Sequence, residues 1–295
     1  MGWNYETISD HRCVCGEGPL WDHLNKQLYW IDILQGRIYC LQSDGQVQFM
    51  NTGQKTGAIA LARSGRLIAA LKDGIYSVNF PERSISKMLD PEPDKTDNRL
   101  NEGKTDPDGR FWIGSMSDAG QASRGSLYTI EKDKTITRKL DGLSISNGLA
   151  WDADRNRFYH IDTPSRKVIA YDYDRESGNI INGVAVVDID EAEGVPDGMT
   201  IDSEGMLWIA HWNGGRVTRW DPHRSKKIGE ILFPVSKITS CIFGGDDLSD
   251  LYITSACTGL NEQELKDQPL AGACFIVKDT GVKGVPCSLV DDSNW

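Results

Sequence analysis

The sequence predicts an all-β fold, a six-bladed β-propeller with four-stranded antiparallel blades. Three observations carry that expectation. A short apolar strand recurs as Leu28-Tyr29-Trp30, Leu67-Ile68-Ala69, Phe111-Trp112-Ile113, Phe158-Tyr159-His160, Leu207-Trp208-Ile209 and Leu251-Tyr252-Ile253, at intervals of 39 to 49 residues. A strand-based repeat of that period marks a propeller blade, and six copies mean six blades. Turns such as Ser64-Gly65, Asp108-Gly109 and Glu204-Gly205 supply the positive φ that tight hairpins need. The pattern is broken by only one short helical candidate, an insertion around residues 261–266.

The elements follow in order. Residues 4–8 read as a strand that joins the last blade and closes the ring, removing the exposed edges of an open sheet. In blade one, strands at 28–32, 37–41 and 47–50 follow the inner strand. Matching third strands lie at 75–78, 127–130, 168–171, 217–220 and 274–277, alternating in polarity and rich in β-branched and aromatic residues. The repeats run from about residue 17 to about residue 277, so the chain 1–295 reads as a single propeller domain. Met1-Gly2-Trp3-Asn4-Tyr5-Glu6 has no basic region leading into an apolar run, and no stretch approaches the roughly 18 apolar residues of a membrane span. A net charge of -11 opposes nucleic acid and anionic membranes. Seven cysteines without a C-x-x-C pair read as reduced thiols. The expectation is a cytoplasmic monomer or weak homo-oligomer with a small-molecule partner.

A propeller gathers the start of each inner strand around one axis. Blade one offers Glu17-Gly18, blade three Asn101-Glu102-Gly103, blade four Asn147-Gly148 and blade five Asp197-Gly198. In each, a polar acceptor stands five residues before a turn aspartate: Asp22, Asp106, Asp152 or Asp202. The turn aspartates are explained by Asx turns. Glu17, Asn147 and Asp197 come from three blades yet share one channel end. Two carboxylates crowded together repel unless a cation or proton lies between them. With an amide oxygen they make a hard all-oxygen set suited to Ca²⁺, Mg²⁺ or Mn²⁺ and tolerant of Zn²⁺. The alternative is that they cap strand ends and bind channel water. Arg99 and Asn101 lie on one side of an extended chain near the axis. A guanidinium there suits vicinal oxygens, or else a salt bridge at the rim.

At these residues the chain resembles the SMP-30/gluconolactonase/LRE family, the regucalcin-like family, and its bacterial aldonolactonase branch in particular. The matching motifs are Cys15-Gly16-Glu17-Gly18-Pro19-Leu20-Trp21, Asn98-Arg99-Leu100-Asn101-Glu102-Gly103-Lys104-Thr105-Asp106, Ser146-Asn147-Gly148-Leu149-Ala150-Trp151 and Pro196-Asp197-Gly198-Met199. The resemblance implies one divalent cation (Ca, Zn, Mn or Mg) held by Glu17, Asn147 and Asp197. It implies substrate contacts from Arg99 and Asn101, with Glu102 standing where the family often has aspartate. It implies hydrolysis of a sugar-acid lactone to the aldonic acid, with Asp197 also assisting water attack. One departure concerns specificity. Regucalcin-type members place a substrate-contacting glutamate three residues after the equivalent of Met116, where this chain has Ala119, preceded by Asp118. Alternative functions are organophosphate or ester hydrolysis at the same site, a calcium-binding regulator, and a non-enzymatic binding module.

Overall fold

The computed structural model describes residues 4–295; Met1, Gly2 and Trp3, part of the segment read for a leader, lie outside them. Among the described residues the strands form six four-stranded antiparallel sheets, arranged as a six-bladed propeller. The innermost strands are Gly16–Asp22, Thr56–Leu61, Asn98–Thr105, Ser146–Asp152, Val195–Ile201 and Ile238–Gly244. Each packs against the inner strand of the next blade, and the sixth returns to the first. The strand Tyr5–Thr7 pairs antiparallel with Phe275–Val277 as the outermost strand of blade six. That blade is therefore built from both chain ends, as expected from residues 4–8. The helical insertion is Glu262–Asp267, opened by a capping box between Asn261 and Glu264. No helix among the described residues is long and apolar enough to cross a membrane.

The turn aspartates do more than close hairpins. Asp106 accepts from the amides of Asp108 and Arg110, and also from Trp112 Nε1 at 2.9 Å and the Tyr173 hydroxyl at 2.7 Å. Asp202 repeats the arrangement with the amides of Glu204 and Met206, Trp208 Nε1 at 2.9 Å and Arg219 Nε at 2.8 Å. One carboxylate thus fixes the turn and the polar end of a large buried side chain, which allows Trp112 and Trp208 to sit in the core. Beyond blade six the chain runs back under the ring. Gly284 bridges to Asp202, Val290 to Ala62, and the Asp291 amide donates to Gly109 O. The sequence alone gave no role to this stretch.

Two buried histidines tie the second strands of blades four and five to their neighbours. His160 Nε2 lies 2.9 Å from Ser146 Oγ. His211 Nδ1 lies 2.8 Å from the Glu193 carbonyl, which can only accept, so this nitrogen carries the proton. His211 Nε2 then accepts from Thr218 Oγ1, which in turn accepts from Trp220 Nε1. Burial lowers His160 to about 3 and His211 to about 4. Between those values and about 6.5 the rings are therefore neutral in the folded chain but protonated in the unfolded one. This stability is complete above the unfolded pKa of about 6.5 and drains as pH falls toward the folded values, at about 1.4 kcal/mol per pH unit for each ring. Urea midpoints measured from pH 7 to pH 5 should fall accordingly, and His160→Gln should flatten that slope. Asp106→Ala should cost about 3 kcal/mol at pH 7, because it strands Trp112, Tyr173 and Arg110 together. An unchanged urea midpoint would contradict that role.

Candidate active site at one end of the channel

Every inner strand carries a register irregularity near its start. It falls between Glu17 and Leu20, Thr56 and Ala58, Leu100 and Gly103, Asn147 and Leu149, Pro196 and Met199, and Ile238 and Ser240. A bulge bends the strand and re-aims a side chain. Here the residues at or beside it are the polar acceptors read from the sequence. The glycine that directly follows Glu17, Asn147 and Asp197 is part of the device. Gly18 has φ 52°, in the left-handed region. A Cβ on Gly198 would collide with the Ser240 side chain of the next blade.

The acceptors are buried and linked. Glu17, Asn101, Glu102, Asn147 and Asp197 are each no more than 8% exposed. Asn101 Nδ2 donates to Asn147 Oδ1 at 3.1 Å and to Ser146 O at 2.8 Å. Asn147 Nδ2 donates to Thr163 Oγ1 at 2.8 Å, and Thr163 Oγ1 donates to Pro196 O at 2.9 Å. Those bonds fix which end of the Asn147 amide is oxygen, and tie it to the residue before Asp197. Arg99 Nη1 donates to Asn101 Oδ1 at 2.6 Å and to Leu100 O at 3.1 Å. The same guanidinium has its Nε 3.7 Å from Asp118 Oδ1, so the rim ion pair considered for it also exists.

The carboxylates are held against their own repulsion. Burial raises Glu17 well above the ordinary carboxylate range, and the charges of Asp197 and Glu102 raise it further. Asp197 is raised by burial and then by Glu102, against the pull of Arg99. Glu102 is pushed up to about 7 by burial, opposed by Lys104 and the Gly148 amide. Its Oε2 is buried without a hydrogen-bond partner. Glu102 also lies deeper than Arg99 and Asn101. It lines a cavity of about 240 Å³ together with Lys104, Thr105, Pro286 and Cys287, whereas Glu17, Asn147, Asp197, Arg99 and Asn101 do not line it.

The chemistry of this donor set suits a hard divalent cation: two carboxylates raised by burial and like charge, and an amide oxygen oriented by its own hydrogen bonds. No cluster of three His, Cys, Asp or Glu side chains among the described residues is arranged as a metal site. Glu102 therefore does not complete a three-carboxylate set with Glu17 and Asp197, and the candidate set is two carboxylates with the Asn147 amide oxygen. The seven cysteines are unpaired thiols, and burial raises Cys13 and Cys15, so neither is an activated nucleophile.

Sequence reading missed three contributors. Thr163 follows the second strand of blade four, and nothing in the repeat singles it out. Lys104 lies two residues past Glu102 and donates to Met199 O at 2.7 Å. Lys55 stands just before the blade-two strand Thr56–Leu61, at the position beside which other blades place acceptors, and that register was a usable signal.

Residues 15–257 match the family model described as the SMP-30/Gluconolactonase/LRE-like region. A Bacillus subtilis (strain 168) protein, provisionally named sugar lactone lactonase YvrE, is 40% identical over 269 residues, covering 90% of this chain and 92% of its own. Regucalcin of Gallus gallus is 38% identical over 288 residues, covering 95% and 96%. A solved structure of regucalcin from Agrobacterium tumefaciens str. C58, described as a calcium-binding protein, superposes with a TM-score of 0.93 at 25% identity, covering 98% of both chains. The chain belongs to the SMP-30/gluconolactonase/LRE-like family.

The donor set predicts metal-linked stability. Adding Mn²⁺ or Ca²⁺ at about a hundred times its Kd should stabilise chelator-stripped protein by about 2.7 kcal/mol. In thermal melts that gain should vanish in Asp197→Asn. An equal gain in the variant would move the cation elsewhere.

Proposed function

We propose that this protein hydrolyses a sugar-acid lactone to the free aldonic acid, using a divalent cation held by Glu17, Asn147 and Asp197. The observation that carries the proposal is the hydrogen-bonded run Arg99–Asn101–Asn147, with the charges of Glu17 and Asp197 close enough to act on Arg99, in a chain of this family. When bound, a divalent cation supplies Lewis-acid polarisation of the lactone carbonyl. Asp197 serves as general base. It takes the proton from water as the water oxygen bonds to the carbonyl carbon. The ring C–O bond then breaks, and the ring oxygen leaves as a hydroxyl carrying that proton. Arg99 and Asn101 hold ring and hydroxyl oxygens, fixing the approach of water. Asn101, already bonded to Arg99 and Asn147, couples this grip to the acceptor set.

A calcium-binding role is the second reading, favoured by the description of the A. tumefaciens relative. It would use the same ligands but demand selectivity for Ca²⁺, whereas a lactonase should work with several divalent ions.

The test is proton release from a panel of aldonolactones, with stripped protein and Mn²⁺, Zn²⁺, Mg²⁺ or Ca²⁺ added back. Turnover restored by several ions supports the lactonase. Asp197→Asn should lower kcat by at least about a thousandfold, since it removes both base and ligand. Arg99→Met should chiefly raise KM, by about tenfold, as expected for lost substrate binding. Wild-type rates in Asp197→Asn would overturn the mechanism.

A further inference from the structure

Two lysines and an aspartate beside Arg99 have no part in the hydrolysis just described. Lys55 leads into the blade-two strand Thr56–Leu61, and Lys72 follows the next strand, Leu67–Leu71. Asp118 follows the blade-three strand Phe111–Ser117. Asp118 Oδ1 accepts from Lys55 Nζ at 2.5 Å, Asp118 Oδ2 is 3.3 Å from Lys72 Nζ, and Arg99 Nε is 3.7 Å from Oδ1. Two ammonium groups and the Arg99 guanidinium thus share one carboxylate.

The other acids that line the adjoining cleft are engaged elsewhere. Asp73 and Asp90 face Lys87, at 3.4 and 3.3 Å, and Glu92 faces Lys95 at 3.0 Å. The cleft, about 130 Å³, is bordered by Lys72, Asn98 and Arg99. Asn98 Oδ1 is buried there without a hydrogen-bond partner. Asp118 is the carboxylate shared by Lys55 and Lys72, so these two ammonium groups outnumber their counter-charge. Asp118 is too small a counter-charge to neutralise the cluster, but it is enough to hold two flexible lysines near Arg99. Their side chains are 34% and 41% exposed, so the ammonium groups keep access to solvent and ligand. A lysine presented this way is a point charge for a carboxylate or phosphate oxygen.

We propose that Lys55 and Lys72, anchored by Asp118 beside Arg99, form an anion subsite, and that the substrate is a sugar lactone carrying a carboxylate or phosphate on the substituent off its ring. This rests on the lactonase reading and narrows it. Asp118 is a positioning residue here, acting through the two lysines.

The experiment compares three lactones of the same sugar: gluconolactone, which is neutral, a glucaric acid monolactone, which carries a carboxylate, and 6-phosphogluconolactone. The readout is the ratio of kcat/KM for each anionic lactone to that for the neutral one. Wild-type protein should favour at least one anionic lactone by about tenfold, as one charge-assisted contact provides. Lys55→Met and Lys72→Met should each lower that ratio severalfold, and added salt should lower it in wild type but less in the variants. Which anion is favoured identifies the carboxylate or the phosphate as the group recognised. A wild-type ratio at or below one, or a ratio unchanged in both variants, overturns the subsite. Thermal shifts with the same three compounds read the subsite without turnover. A lysine-dependent preference for the anions there, with no lactone hydrolysed, would retain the subsite and overturn only the lactonase reading.

Discussion

Like charges held together out of water are the constraint on which the rest of this structure depends. Glu17 and Asp197 are buried, and Glu102 adds a third carboxyl close enough to raise both. Such a group is stable only if protons or a cation offset the repulsion. A rigid scaffold is therefore needed to keep the carboxylates from moving apart. The closed ring supplies it, because each inner strand is braced by two neighbours and blade six is stapled by Tyr5–Thr7. The bulges then turn acceptors inward at the level where those strands come together.

In four blades the repeat uses two polar positions for opposite ends. At the turn, Asp106 and Asp202 are saturated with donors, and they hold tryptophans in place. Five residues earlier, at the bulge, Glu17, Asn147 and Asp197 are only partly satisfied by protein. The first position spends its hydrogen bonds on the fold, and the second leaves capacity for a ligand. Residues such as Asn101, Thr163 and Arg99 lie between these extremes, since they order the acceptors while facing the channel.

Much of this was legible in the sequence because a propeller is periodic. The Leu28, Leu67, Phe111, Phe158, Leu207 and Leu251 strands set the blade count, and the acceptor five residues before each turn aspartate set the channel end. Asn147 and Asp197 could be paired across blades without any coordinates. What the period does not encode was not legible. The deeper position of Glu102 depends on where the blade-three bulge falls, and a bulge has no fixed spelling. The Lys55–Asp118–Lys72 cluster joins residues 63 positions apart through loops, and loops follow no repeat. The return of residues 284–291 beneath the ring is a single non-repeated path, fixed by contacts such as Ala62 with Val290.

The account stands on one cation bound where the acceptors meet. Anomalous diffraction from crystals soaked in Mn²⁺ tests that directly. A single strong peak within bonding distance of Glu17, Asn147 and Asp197 oxygens is the predicted result. A peak at another location, or a soaked crystal with no peak at these residues while the same protein hydrolyses a lactone, would contradict it.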